Sequence, residues 1–189
     1  NLQVRNGVNN TSTKNGLGNL IVGYNEPRSS GPNTRTGSHT VVIGREHNFS
    51  SFGGLVLGRL NTISAVFAAV TGGSNNVASG MGASVSGGEL NTASGAGASV
   101  SGGRQNSANN AETTVAGGRA NSASGPNSTI GGGYANTASG AYGSIAGGVF
   151  NWLTNADYAT LGGGQQNPIQ STSPYATISG GGANTILSN

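Results

Sequence analysis

Apolar residues recur at one fixed interval along most of this 189-residue chain. Between positions 69 and 150 the aliphatics Val70, Val85, Val100, Val115, Ile130 and Ile145 are equally spaced, each flanked by small residues. A second apolar series, Ala78, Ala93, Ala108, Ala123 and Ala138, keeps step with the first. Alternation makes S84-V-S-G87 a strand with Val85 inward, and N91-T-A-S94 a second strand with Ala93 inward. Gly87–Gly88 and Gly95 supply the corners, where positive φ or close backbone approach is needed. A short self-similar period fixes the architecture as one β-coil per repeat. The pattern predicts an all-β, left-handed parallel β-solenoid, or β-roll. Coils stacked at about 4.8 Å make a rod roughly 50 Å long, with a core of one Val and one Ala per coil.

The same period divides the chain. Residues 1–19 form a lead-in or cap, and 20–68 form irregular first coils built on L20-I-V-G23, V41-V-I-G44 and L55-V-L-G58. Residues 69–150 are the regular repeats. Residues 151–189 are widened coils, in which the steps from Asn151 to Asn167 and from Asn167 to Asn184 exceed the regular one. Three segments are expected to be surface loops that meet a partner: 24–40, 151–160 and 165–176. Their candidate contact residues are Arg28, Arg35, His39, Trp152, Tyr158 and Tyr175. The chain opens on Asn1 and its only Met is Met81, the pattern of a processed product or a fragment. It stops at A183-NTILSN-189, midway through a coil, an edge expected to be continued or covered.

Stacked coils turn equivalent residues into ladders. Asn76, Asn91, Asn106, Asn121 and Asn136, with Asn48 and Asn61 before them, are expected to hydrogen-bond to one another and to turn backbone. The functional alternative is a row of ligand-binding amides. Phe52, Phe67, Tyr142, Tyr158 and Tyr175 form an interrupted aromatic ladder ahead of the inward aliphatic, read as neighbour stacking. The sharper alternative is a carbohydrate-binding stripe that includes Trp152. Thr62/Ser64, Thr92/Ser94, Ser122/Ser124 and Thr137/Ser139 line the outside of the second strand, broken at Val77, Asn109 and Trp152. This is an ordinary polar sheet face, with an ice-binding hydroxyl array as its alternative.

Composition narrows the function. Thirty-six glycines and 7% charged residues read as low complexity, yet the net charge is only +3 and the apolar residues are periodic, so order comes from repetition. Eight Arg and Lys against five acids, with no dense run, do not make a nucleic-acid surface. No apolar stretch is long enough to span a membrane as a helix, and no signal peptide is expected among these residues. The absence of Cys removes disulfides and thiolate metal sites. Glu26, Glu46, Glu89, Glu112, Asp157, His39 and His47 make no convergent set, and the one titratable run, Arg45-Glu46-His47, alternates faces. No nucleophile elbow, phosphate loop or metal-ligand spacing is present, so neither an enzyme nor a cofactor is expected.

S144-I-A-G-G148, V41-V-I-G44 and L55-V-L-G58 resemble the S-I-A-I-G strand of the YadA-type heads of trimeric autotransporter adhesins. Asn91-Thr92-Ala93-Ser94-Gly95 fills that family's Ala-x-Ala-x-Gly slot, and the resemblance covers residues 20–187. It implies a left-handed β-roll with three chains side by side, extracellular or on a bacterial cell surface. Such a homotrimer would act as an adhesin head or spacer and bind a host or prey glycan or protein. A phage tail-fibre module would share the same physics. Two departures stand out. The regular period is one residue longer than the family's, and Gly87, Gly102, Gly117 and Gly132 replace its second inward Ile.

Overall fold

The computed structural model describes residues 2–170 and 173–187. Among them there is no helix, and every named strand pairs in parallel into one of two sheets. The first sheet has eleven strands, from Leu20–Val22 to Thr177–Ile178. The second has nine, from Asn48–Phe49 to Pro168–Ile169. Through the regular repeats each coil contributes two residues to each sheet. Val85 pairs with Val100 in the first sheet and Ala93 with Ala108 in the second. The chain is therefore a parallel β-solenoid.

Besides the second glycine of each pair (83° at Gly88 and Gly103), two backbone positions per coil turn the chain with left-handed φ. One is the residue before the ladder asparagine, as in Leu90 (φ 59°), Gln105 (58°) and Ala120 (57°). The other precedes the inward aliphatic and is held by Phe67, Gly82, Gly97, Glu112, Asn127, Tyr142, Tyr158 and Tyr175 in turn. Non-glycine residues there cost on the order of 1 kcal/mol each, so the fold must over-determine them. The same requirement corrects the aromatic ladder. Phe52 lies one residue ahead of this position, which Gly53 occupies at φ 71°.

His47 and Asn61, one coil apart, are separated by 14 residues, and Asn61 and Asn76 by 15. The lengthening has one local cause. Val56 still pairs with Val70, but Arg59 bridges to Ser74, so Gly72 is the added residue. Its successors Gly87, Gly102 and Gly117 have no positive φ, and a Cβ on any of them would meet no atom within 4 Å. These glycines do not stand in place of an inward Ile. They border open space. The glycine that follows each is different. Gly103 sits at φ 83°, and a Cβ there would collide with the Gly118 carbonyl.

The core holds more than a Val and an Ala per coil. Val85, Val100, Val115, Ile130 and Ile145 are fully buried, as are Ala78, Ala93, Ala108, Ala123 and Ala138. A third inward row includes Ala68, Ala83, Ala98 and Ala159, also fully buried. The second-sheet row swells at both ends, to Phe49 and Ile63 upstream and Leu153 and Ile169 downstream.

Asn106 shows how the buried amides are satisfied. Its N–H donates to Asn91 Oδ1 at 2.9 Å, and its Nδ2 donates to Gly102 O and Gly118 O, both at 2.9 Å. Its own Oδ1 accepts the Asn121 N–H at 3.0 Å. The pattern runs from Asn61 to Asn184. At the upstream end the ladder position is held by His47 and not by Asn48, which pairs with Thr62 in the second sheet. His47 Nδ1 accepts the Asn61 N–H at 3.3 Å, and Nε2 donates to Ile43 O at 3.2 Å. Imidazole thus supplies the acceptor and donor of an amide, in the neutral Nε2–H tautomer.

Replacing Asn106 by Ala strips partners from the Asn121 N–H and from two carbonyls. The expected loss of stability is about 2–4 kcal/mol, read from chemical denaturation. Accelerated amide exchange should be confined to the coils around residue 106.

Candidate functional site

Glu46, at φ 62°, turns the chain after the Val41–Arg45 strand and His47 is buried at the same corner, where the long excursion from residue 24 folds back. Residues 34–40 are not free loop. Asn48 Oδ1 accepts the Thr34 N–H at 2.9 Å, Phe49 N–H donates to Thr34 O at 2.9 Å, and Ser38 N–H donates to Ser51 O at 3.1 Å. This stretch hydrogen-bonds alongside the first strand of the second sheet, and only the part before it leaves the rod.

Arg28, on that excursion, reaches across two coils. Its Nε donates to Glu46 O at 2.9 Å, and its Nη2 donates to Leu60 O at 2.6 Å, Asn61 O at 3.0 Å and Thr62 Oγ1 at 2.8 Å. A guanidinium engaged in this way clamps the corner and has little capacity left for a partner. Arg35 donates from Nη1 to Asn25 O and closes the excursion on itself. His39 lies half-buried beside a shallow depression of about 360 Å³, formed with Val4, Arg5, Asn6, Asn9 and Asn10 of the N-terminal segment. Its Nδ1 is buried without a hydrogen-bond partner. Glu46 itself pairs outward with Arg59 at 3.1 Å.

The remaining candidates fall into two groups on different corners. Tyr158 and Tyr175 join Tyr142 where the coil widens between the second sheet and the next first-sheet strand. Their rings are parallel, Tyr142 to Tyr158 at 4.9 Å and 4°, Tyr158 to Tyr175 at 5.0 Å and 8°. Stacking therefore describes these three. It turns the facing π surfaces toward one another, while Tyr175 at the end of the stack remains 73% exposed. Residues 171 and 172 of the expected 165–176 loop lie outside the described residues. Upstream, Phe52 and Phe67 meet edge-on at 5.9 Å.

Trp152 does not belong to that stack. It stands on the second sheet between Thr137 and Pro168, and its neighbour is Phe150 at 6.3 Å. Phe150 in turn meets Tyr134 at 5.2 Å and 68°, and Arg119 lies over the Tyr134 ring at 5.7 Å. Sequence reasoning singles out neither Phe150, Tyr134 nor Arg119. The one-coil offsets that bring them together are present in the chain, but their mixed chemistry gives no ladder to recognise.

The ladder asparagines Asn76, Asn91, Asn106, Asn121 and Asn136 are fully buried, so no ligand reaches their amides. The outward hydroxyls Thr92, Ser107, Ser122 and Thr137 lie in register across four coils. Among the described residues no group of three or more His, Cys, Asp or Glu is placed to hold a metal ion, and no helix is long and apolar enough to cross a membrane. Fold and surface define a parallel β-solenoid repeat protein. No protein-family model matches the chain, and no curated protein sequence matches it either.

Burial pushes the His47 imidazole below the ordinary histidine range, the nearby Arg28 charge reinforces this, and hydrogen bonding to Ile43 O opposes it. The unfolded chain, titrating near 6.5, then takes the proton first. Stability is complete above about pH 6.5 and is lost as the pH falls from there toward the depressed folded value. Melting curves at about pH 8 and about pH 5 should show this loss in the wild type. His47→Asn, which installs the ladder's own residue, should remove that share of it.

Proposed function

We propose that the chain is a segment of a bacterial extracellular fibre, a left-handed β-roll in a side-by-side homotrimer. It acts without catalysis or cofactor, as an adhesin head or rigid spacer. The supporting observation is the row Gly87, Gly102 and Gly117. Nothing inside the chain requires a missing side chain there, since φ is ordinary and the space beyond is empty. A strip without Cβ atoms lets a neighbouring backbone approach closely, and burying it against two copies adds contact to a slender core. Target contacts fall to the widened corner that carries Tyr158 and Tyr175, because Arg28 is engaged within the chain.

Light scattering should give a mass near three times 18.4 kDa. The double change Gly102→Leu, Gly117→Leu should leave the β-sheet circular dichroism unchanged and yield monomers, because each coil has room for the new side chains. Gly103→Ala is the contrast. It should destabilise the coil itself by more than about 1 kcal/mol, since its backbone is left-handed and its Cβ meets a carbonyl. A wild-type monomer would overturn the trimer.

The in-register hydroxyls of Thr92, Ser107, Ser122 and Thr137 favour a second reading, an ice-binding face. Thermal hysteresis that disappears with Thr92→Tyr would establish it, and no hysteresis at all would remove it.

A further inference from the structure

The corner opposite the tyrosine stack carries a different arrangement. Tyr134 and Phe150 meet at 68°, and Phe150 and Trp152 at 32°, so these rings leave their faces partly free. Tyr134 is 40% exposed, and Phe150 and Trp152 are half-buried. At the upstream end of the stripe, Arg104 and Arg119 leave bridged positions on successive coils. Arg104 is neutralised by Glu89 at 3.3 Å. Arg119 has no carboxylate within ion-pairing distance among the described residues, and its one contact of note is the Tyr134 ring. A guanidinium without a carboxylate partner favours an incoming anion, and it holds its donors in a fork that matches a carboxylate.

We propose that Arg119, Tyr134, Phe150 and Trp152 form a binding site for an acidic polysaccharide, a chain of hexuronic acid units lying along the rod. The C–H faces of the pyranose rings pack on the aromatic faces, whose quadrupole is negative, and a carboxylate pairs with Arg119. The charge density is too low for a phosphate polymer, which requires clustered cations. The site belongs to a single chain and does not depend on the trimer. Light scattering and the titration below therefore fail independently.

Trp152 is the only tryptophan, so tryptophan fluorescence, excited selectively over the five tyrosines, reports on this corner. The full chain is titrated with a short oligogalacturonate and with a neutral oligogalactan of equal length. A saturable change is expected with the acidic chain, and binding roughly tenfold to a hundredfold weaker with the neutral one, the worth of one charge-assisted contact. Arg119→Gln should abolish the difference between the two sugars without moving the melting temperature. Tyr134→Ala should weaken both, followed by calorimetry so that the readout does not depend on tryptophan. The assignment is overturned by a non-saturable signal or by Arg119→Gln leaving the preference intact. Stronger binding of an oligothymidylate also overturns it. So does a Trp152 shielded from acrylamide in the native assembly, since another copy then covers the stripe.

Discussion

The buried amide ladder is the interaction on which every other feature depends. So short a coil must bend sharply several times, and each bend leaves backbone N–H and C=O groups facing inward, away from water. In an apolar interior such groups cost on the order of 1–3 kcal/mol each when unpaired. One asparagine per coil resolves this by accepting one N–H and donating to two carbonyls, and each amide also fixes the height of the next. The inward aliphatics add dispersion and burial, but they are small and separated. The amides specify the register. Where the row begins, His47 reproduces both functions of the amide with two ring nitrogens, at the cost of sensitivity to acid.

With register fixed from within, the corners are free to hold residues that would otherwise resist left-handed φ. Leu90, Gln105 and Ala120 adopt it at one corner, and Phe67, Glu112 and Tyr142 at the other. This explains why the corner before the inward aliphatic alternates between glycine and large side chains without disturbing the coil. Glycine satisfies the backbone. An aromatic residue there recovers the cost by stacking on its neighbour a coil away, as Tyr142, Tyr158 and Tyr175 do at 4.9 and 5.0 Å. The coils that widen, from Asn151 to Asn167 and from Asn167 to Asn184, gain their extra length at this same corner. The stack therefore holds together the part of the rod where the turn is longest.

What was legible in the sequence is what repeats. Val85 to Ile145 and Asn76 to Asn136 announce their places because each recurs at one constant interval, and so short a period admits one architecture. The misreadings occur where chemistry and register part company. Asn48 has the right side chain one residue too late, and His47 has the right position with an unfamiliar group. Phe52 precedes the corner that Gly53 occupies. Gly72 and its successors look like lost core residues until the bridge from Arg59 to Ser74 shows them to be additions on the outside. The reach of Arg28 across 32 residues to Leu60 left no periodic trace at all.

The same separation of inside from outside governs where function can arise. Inward positions are constrained twice, by the size of a thin core and by the amide register, and their tolerance is correspondingly small. Outward positions are stacked at a fixed spacing of about 4.8 Å and otherwise unconstrained, so single substitutions on neighbouring coils create continuous surfaces. Three outcomes coexist on this one rod. The strip of glycines added outside the coil is flat and featureless, the tyrosine corner commits its facing rings to stacking, and the corner of Arg119, Tyr134, Phe150 and Trp152 keeps both charge and ring faces available. The glycine strip suits contact with an identical surface, and the stack suits mechanical reinforcement. Only the third combines an unmatched charge with open aromatic faces, the two properties a ligand of different chemistry requires.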